Sequence, residues 1–261
     1  MLPPIEIKIN IDAEVPRALS VLECPPEEGR RRSIWFAEAR TAAAERALPL
    51  LSGHLIIRLR SGDRDDLTVK LRPCSLEGLA PRWRRPFDDR DFSYRVESDW
   101  SGSQHVLAAS AVSRRPPGSL ARAMQSGTDP AQVLDPAQRQ FLVTCTPGGV
   151  PIDHLVPLGP IVSTTWSGIP LAGHTVDLER WTVDGLDLLE ISAQIRASPG
   201  ESIEAFELRA DDERSRLESF FRGHRLQPSV EDTKTRRVLS VLVREHSRPT
   251  NQPPMRDTPM P

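Results

Sequence analysis

Lysine occurs three times in this 261-residue chain, at Lys8, Lys70 and Lys234; the remaining 31 of its 34 basic residues are arginine. Against that bias, a retained lysine marks a place where a compact ammonium serves better than a planar guanidinium. Two of the three stand in alternating segments. Glu6 and Lys8 alternate with Ile5, Ile7, Ile9 and Ile11, and Lys70 and Arg72 alternate with Leu67, Val69 and Leu71. Arg58 and Arg60 alternate with Leu55, Ile57 and Leu59, and Glu190, Ser192, Gln194 and Arg196 share one parity further on. Cations that face one another repel unless an anion fills the space between them. A polyphosphate is suited to that space, because its many acceptor oxygens match forked guanidiniums and point-like ammoniums alike.

The elements that must position these residues are strands. Period-2 alternation marks 5–12, 55–60 and 67–72. The turn Ser61-Gly62-Asp63 joins the last two as an antiparallel hairpin. Further strands are expected at 33–36, 92–99, 105–113, 161–166, 174–183 and 186–196, with Val183-Asp184-Gly185 as a hairpin turn. Helices are expected over 15–22, 37–51, from Asp135-Pro136 to about 143, and over 202–222, where Phe206, Leu217, Phe220 and Phe221 are candidate core anchors. About eight mostly antiparallel strands with a few outer helices give an α+β, mostly-β domain over residues 1–246. Residues 247–261 carry five prolines with little to bury, and disorder is the expectation there.

Composition narrows the function. A formal net charge of −2 offers no basic field to recruit nucleic acid or anionic lipid. No apolar run approaches membrane-spanning length, and the opening Met1-Leu2-Pro3-Pro4 lacks the pattern of a secretory leader. Three widely spaced cysteines fit reduced thiols and a cytoplasmic protein rather than a disulfide framework. No phosphate-cradling G-x-x-x-x-G-K-[ST] loop is present, and the six histidines show no metal-ligand spacing. Cys145 is expected to be a buried small residue. The run Arg82-Trp83-Arg84-Arg85 is followed at once by Asp88, Asp89 and Asp91, and a self-neutralising exposed loop is the expectation.

Alternation alone leaves two arrangements open. The charged face can meet water over an ordinary one-sided sheet, or the sheet can close with that face inward, making a wet, charged channel. The order of short motifs favours the second. Ile5-Glu6-Ile7-Lys8 resembles the opening E-x-E-x-K strand of the CYTH proteins, the triphosphate tunnel metalloenzyme superfamily. Trp35 to Arg60 is similar to its next block, which ends in an R-x-R strand, and Leu67-Thr68-Val69-Lys70 to its L-T-x-K strand. Leu158-Gly159-Pro160-Ile161 resembles the entry to the second half, Asp187 to Ile195 its acidic strand, and Thr233-Lys234-Thr235 its late S-K-T segment. The resemblance runs in order from about residue 5 to 240.

It implies a closed antiparallel eight-stranded barrel with peripheral helices, open at both ends, that binds a triphosphate with Mg²⁺ or Mn²⁺. Members hydrolyse inorganic triphosphate, thiamine triphosphate or RNA 5′-triphosphate ends, and some cyclise ATP. Carried over by position, Lys8, Arg58, Arg60, Lys70 and Lys234 would contact phosphate. Glu6 and Glu190 would hold the metal, and Glu6, Lys8 and Glu190 would form the catalytic set. Asp177 or Glu179 could supply one more carboxylate, and Arg72 is either an extra phosphate ligand or a surface residue. The pattern breaks on the acidic side. The first motif glutamate falls at Pro4, the second member of the later acidic pair at Ser192, and a basic position beyond it at Gln194. Where the second half usually supplies an arginine, this chain has Val162-Ser163-Thr164-Thr165. Two functions therefore stand: metal-dependent triphosphate hydrolysis, and a module that binds a polyphosphate or nucleotide without chemistry.

Overall fold

The computed structural model describes residues 2–41, 47–229 and 233–246. Ten strands succeed one another: β1 (Ile5–Ile11), β2 (Arg30–Ala39), β3 (Leu55–Ser61), β4 (Asp65–Cys74), β5 (Phe87–Asp89), β6 (Phe92–Ser101), β7 (Gln104–Arg115), β8 (Leu155–Leu171), β9 (His174–Val183) and β10 (Leu186–Ile195). The helices are α1 (Val15–Val21), α2 (Pro49–Ser52), α3 (Ser119–Gln125), α4 (Pro136–Cys145), α5 (Ile203–Gly223) and α6 (Lys234–His246).

Nine of the strands form a closed ring in the order β1-β10-β9-β8-β2-β3-β4-β7-β6, and a parallel pairing of β6 with β1 shuts it. An odd-membered ring cannot be antiparallel throughout, so one parallel seam is unavoidable. That seam has no hairpin turn to announce it in the sequence, and the ring has nine strands where about eight were expected. Closure also pairs Ile5 to Lys8 of β1 along their second edge. The short β5 covers the first part of the same β6 edge, with Phe87 opposite Tyr94.

Most strands keep aliphatic residues outside and polar residues inside. Ile5, Ile7, Ile9 and Ile11 are buried under α1 and α5 with Leu19, Phe206, Leu217 and Phe221. Leu55, Ile57, Leu59, Leu67 and Val69 pack with Leu120, Phe141 and Trp83. Each fully buried side chain of this kind contributes about 1.5–3 kcal/mol. The β9–β10 hairpin forms as expected, with Asp184 (φ 30°) and Gly185 (φ 77°) in the left-handed conformations that a two-residue turn requires. Buried Gln138 fastens α4 to the barrel by donating to the carbonyls of Leu67 (2.8 Å) and Ala111 (3.0 Å). Buried Asp65 ties the β3–β4 turn to α3, accepting from Ser61 Oγ (2.9 Å), Gly118 N (3.0 Å) and Leu120 N (2.8 Å).

Helix α6 packs differently. Its Val238, Leu239 and Leu242 lie on Ile34, Phe36, Trp181 and Leu188. Phe36 is paired with Arg58, and Trp181 and Leu188 share strand parity with Glu179 and Glu190, so these residues belong to the inward face. The helix therefore covers one end of the channel with its N-terminus pointing inward, where a barrel open at both ends was implied. Thr233 caps it, its Oγ1 accepting from Arg236 N.

Other expectations need correction. The helix expected over 37–51 is strand through Ala39, because ladders to β3 and β8 on both edges outweigh the helix preference of Ala and Glu. Only Pro49–Ser52 of that stretch is helical among the described residues, and 42–46 lie outside them. The three arginines of Arg82–Arg85 are exposed as expected, but Trp83 between them is buried and the segment is not simply a loop. Residues Pro81–Arg84 form a 3-10 turn that buries Trp83 against Phe87, Tyr94 and Phe141. The expected core anchors Phe206, Leu217 and Phe221 are buried, as is Cys145, while Phe220 is only partly covered. The tail from 247 lies outside the described residues. Among them, no helix is long and apolar enough to cross a membrane.

Candidate functional site

The ring encloses a tunnel of about 450 Å³ lined by eight cationic and five acidic side chains. Register explains their convergence. Glu6 and Lys8 on β1, Arg58 and Arg60 on β3, Lys70 and Arg72 on β4, Arg95 and Glu97 on β6, Glu179 on β9 and Glu190 on β10 all occupy inward positions. The tunnel holds two ionic clusters.

The first is built around Asp99, whose side chain is fully buried on β6 beside the closing seam. Its carboxylate lies 3.2 Å from Lys8 Nζ, 2.9 Å from Lys70 Nζ and 3.2 Å from Arg72 Nε. Glu6 completes Lys8 at 2.8 Å, and Glu97 meets Lys70 at 3.3 Å. Burial alone would raise Asp99, but Lys8, Lys70 and Arg72 outweigh it and hold the carboxyl far below its usual range. Burial would likewise lower Lys8, yet Glu6 and Asp99 keep its ammonium charged well above the ordinary lysine value. Glu6 is pushed upward by burial, only partly offset by Lys8. Carboxylate oxygens of Glu6, Glu97 and Asp99 all lie within 4.8 Å of one another.

The second cluster forms where α6 enters. Lys234 Nζ stands 2.9 Å from Glu179, 3.4 Å from Glu190 and 4.0 Å from the centroid of the Trp181 ring. Glu179 and Glu190 are direct partners across the β9–β10 ladder. Burial pushes both carboxyls up, but Lys234 reverses this and holds both below their usual range, most strongly Glu179. Nearby, Arg60 Nε meets Asp66 at 2.9 Å and Arg32 meets the same carboxylate at 3.4 Å.

Arg58 stands apart. It lines the tunnel, its Nε is buried with no hydrogen-bond partner, and it forms no ion pair among the described residues. Burial, reinforced by neighbouring Arg60, lowers its pKa. A guanidinium whose Nε is cut off from water without a partner is disfavoured unless an anion enters. The inward N-terminus of α6, with Thr235 on the tunnel wall, adds favourable dipole for the same anion.

The structure thus brings Lys8 and Lys70 to one cluster and Lys234 to the other, with Arg58 and Arg60 near Glu179 of the second. It does not bring Glu6 and Glu190 together. Glu190 lies opposite Asn10, four positions along β1 from Glu6, and turns to Lys234. Glu6 is grouped instead with Glu97 and Asp99, two residues that motif matching passed over. Their signal was available: Arg95, Glu97 and Asp99 alternate with buried Tyr94 and Val96 and half-buried Ser98 in the same period-2 pattern. Of Asp177 and Glu179, it is Glu179 that meets Lys234, while Asp177 accepts from Gly168 N. Arg72 faces the tunnel, bound to Asp99, and is not a surface residue.

No family model matches the sequence, and no curated protein is similar to it. Solved structures are. A putative adenylate cyclase from Bacillus halodurans shares 14% identity with a TM-score of 0.54, covering 89% of this chain and 96% of that one. A putative adenylyl cyclase from Hippeastrum, described as having a dominant triphosphatase activity, also shares 14% identity with a TM-score of 0.54, covering 91% and 96%. The chain has the CYTH-type tunnel fold. In this CYTH-type barrel the cations of the motif strands stand on the tunnel wall, whereas the carboxylates are distributed between β1, β6, β9 and β10.

Proposed function

We propose that the protein binds a triphosphate along its tunnel and hydrolyses it with a divalent cation, Mg²⁺ or Mn²⁺. The observation that carries this reading is Arg58, a half-buried arginine whose Nε is buried without a partner in a tunnel lined by eight cationic side chains. Lys8, Lys70, Arg60 and Lys234 line the same tunnel and would turn from their carboxylates to phosphate oxygens. Arg58 and Arg60 would fork phosphate oxygens, and the ammoniums would act as point charges along the chain.

The donor set fits a hard cation. Mg²⁺ takes one or two protein carboxylates and completes its shell with water and substrate phosphate. Glu6 and Glu97 would hold it, with Asp99 occupied beneath them by two lysines and an arginine. When bound, the metal would neutralise charge on the phosphate oxygens. Glu190, expected as a second ligand, lies 3.4 Å from Lys234 in the other cluster. Glu179 and Glu190 are held ionised by Lys234 and are poorly tuned to take a proton near neutrality. Hydrolysis would thus rest on orienting the phosphates and stabilising their charge.

A second reading, binding without turnover, is supported by the missing acids at Pro4 and Ser192. Phosphate release from inorganic triphosphate and ATP, with and without Mg²⁺ or Mn²⁺, separates the two. Metal-dependent release that falls at least tenfold in Glu97→Gln supports the hydrolase. Tight binding with no release favours the binder, and neither binding nor release removes both.

A further inference from the structure

We propose that a break in one edge of β6 is a docking site for an extended, uncharged, apolar peptide segment of another protein, which adds one rung to the sheet at Val96. The site is independent of what the tunnel binds.

Along one edge β6 is paired with β7 without interruption from Phe92 to Ser101. Along the other, β5 reaches only to Tyr94 and β1 begins only at Ser98, so no strand lies beside Arg95, Val96 and Glu97. Ser98 N–H points to this second edge, because it donates to the Pro4 carbonyl at 2.8 Å. Main-chain groups of a strand return to the same edge every second residue, so the N–H and C=O of Val96 face the break. Register explains why the chain leaves it open. The next rung of the parallel ladder would bring the N–H of residue 4 to the Val96 carbonyl, and residue 4 is a proline. On the far side the chain turns away before β5, through Pro86 and the 3-10 turn Pro81–Arg84. Val96 is only 4% exposed, and an unclaimed donor and acceptor on a buried residue favour a partner.

The break has room for such a partner. Val96 lines a cavity of about 1030 Å³ together with Pro4 and Phe87, from either side of the break, and with Leu2, Ala197 and Pro199. Charged groups around it are already engaged. Arg95 donates to Asp88 (2.6 Å) and to the Phe87 carbonyl (3.2 Å), Glu97 meets Lys70 (3.3 Å), and Glu201 accepts from Arg209 (2.8 Å). A charged occupant would lose water without gaining a free partner. An extended peptide residue carries the acceptor and donor that match Val96, and apolar side chains on either side of it would cover the wall. Among the described residues a second copy has no strand to spare, since all ten already lie in the sheet. Residues 247–261 include five prolines and are poor in the N–H groups a rung requires.

The first measurement is amide hydrogen exchange on the full chain alone. Val96 is expected to exchange at least a hundredfold faster than Glu97, whose N–H faces β7. Equal protection of the two means that the chain or a second copy already fills the break, and overturns the inference. The second is selection of displayed linear dodecapeptides on the full chain, with the enriched peptides then synthesised. They are expected to share an uncharged apolar core and to slow Val96 exchange at least tenfold when bound. Their affinity should fall at least tenfold in Pro4→Ala, which gives β1 the N–H to close its own break, and in Pro199→Glu, which places a charge on the cavity wall. The inference is overturned if no peptide is enriched, if enriched peptides leave Val96 exchange unchanged or are displaced by inorganic triphosphate, or if both variants bind within threefold of wild type.

Discussion

Lys70 Nζ lies 2.9 Å from the carboxylate of Asp99, whose side chain is wholly excluded from solvent. The same carboxylate meets Lys8 and Arg72, so one buried anion holds three tunnel cations from β1 and β4. Removing it leaves three charges in a confined space without their shared counter-ion. Asp99→Ala is expected to lower stability by about 3–5 kcal/mol, measured by urea unfolding. Added triphosphate should recover more of that loss than it adds to wild type, because it supplies the missing negative charge.

Arg58 predicts the opposite balance. Its side chain is half-buried, its Nε is buried without a partner, and Arg60 opposes its charge. Arg58→Met should leave the ligand-free protein as stable as wild type or more stable by about 1–2 kcal/mol. Triphosphate affinity should fall by at least tenfold. A thermal shift series with and without triphosphate reads both effects, and a destabilised variant that still binds would contradict the role given to Arg58.

Lys234 provides an optical signal, since its ammonium lies 4.0 Å from the centroid of the Trp181 ring. A triphosphate that draws Lys234 toward it should change Trp181 emission. The change should disappear in Trp181→Phe while the other four tryptophans remain. Titration with sodium sulfate at matched ionic strength controls for salt alone.

Acid should unfold the barrel through the same clusters. Asp99 and Glu179 have folded pKa values depressed below the unfolded carboxylate range, by Lys8 and Lys70 in one case and by Lys234 in the other. Their stabilisation is fully present above the unfolded pKa, about 4, and is lost as pH falls toward the folded values. Circular dichroism from pH 6 downward should show stability falling below about pH 4. The fall should be shallower in Asp99→Asn, which has one fewer proton to bind.

Asp65 tests the scaffold rather than the tunnel. Its buried carboxylate accepts from two backbone N–H groups at the start of α3 and from Ser61 Oγ. Asp65→Ala should cost about 2–3 kcal/mol, read by chemical denaturation, with triphosphate affinity at a temperature where the variant is folded unchanged within threefold.

The sequence alone determined most of the strands, which side chains share a face of each, and the hairpins. These depend on a period of two and on turn residues such as Asp184-Gly185, which are local properties of the chain. It also singled out Lys8, Lys70 and Lys234, because composition made them rare. Tertiary structure decided which charges meet. Asp99 is remote from Lys8 in sequence and reaches it only across the parallel β1–β6 seam, for which no turn exists to be read. Glu6 and Glu190 looked like a pair because each lies on a motif strand, but antiparallel register offsets them and gives Glu190 to Lys234. The covering of one tunnel end was equally hidden, since the apolar stripe of α6 is compatible with packing outside or inside a barrel. Register and ring closure are non-local, and at this site they determine which carboxylate neutralises which cation.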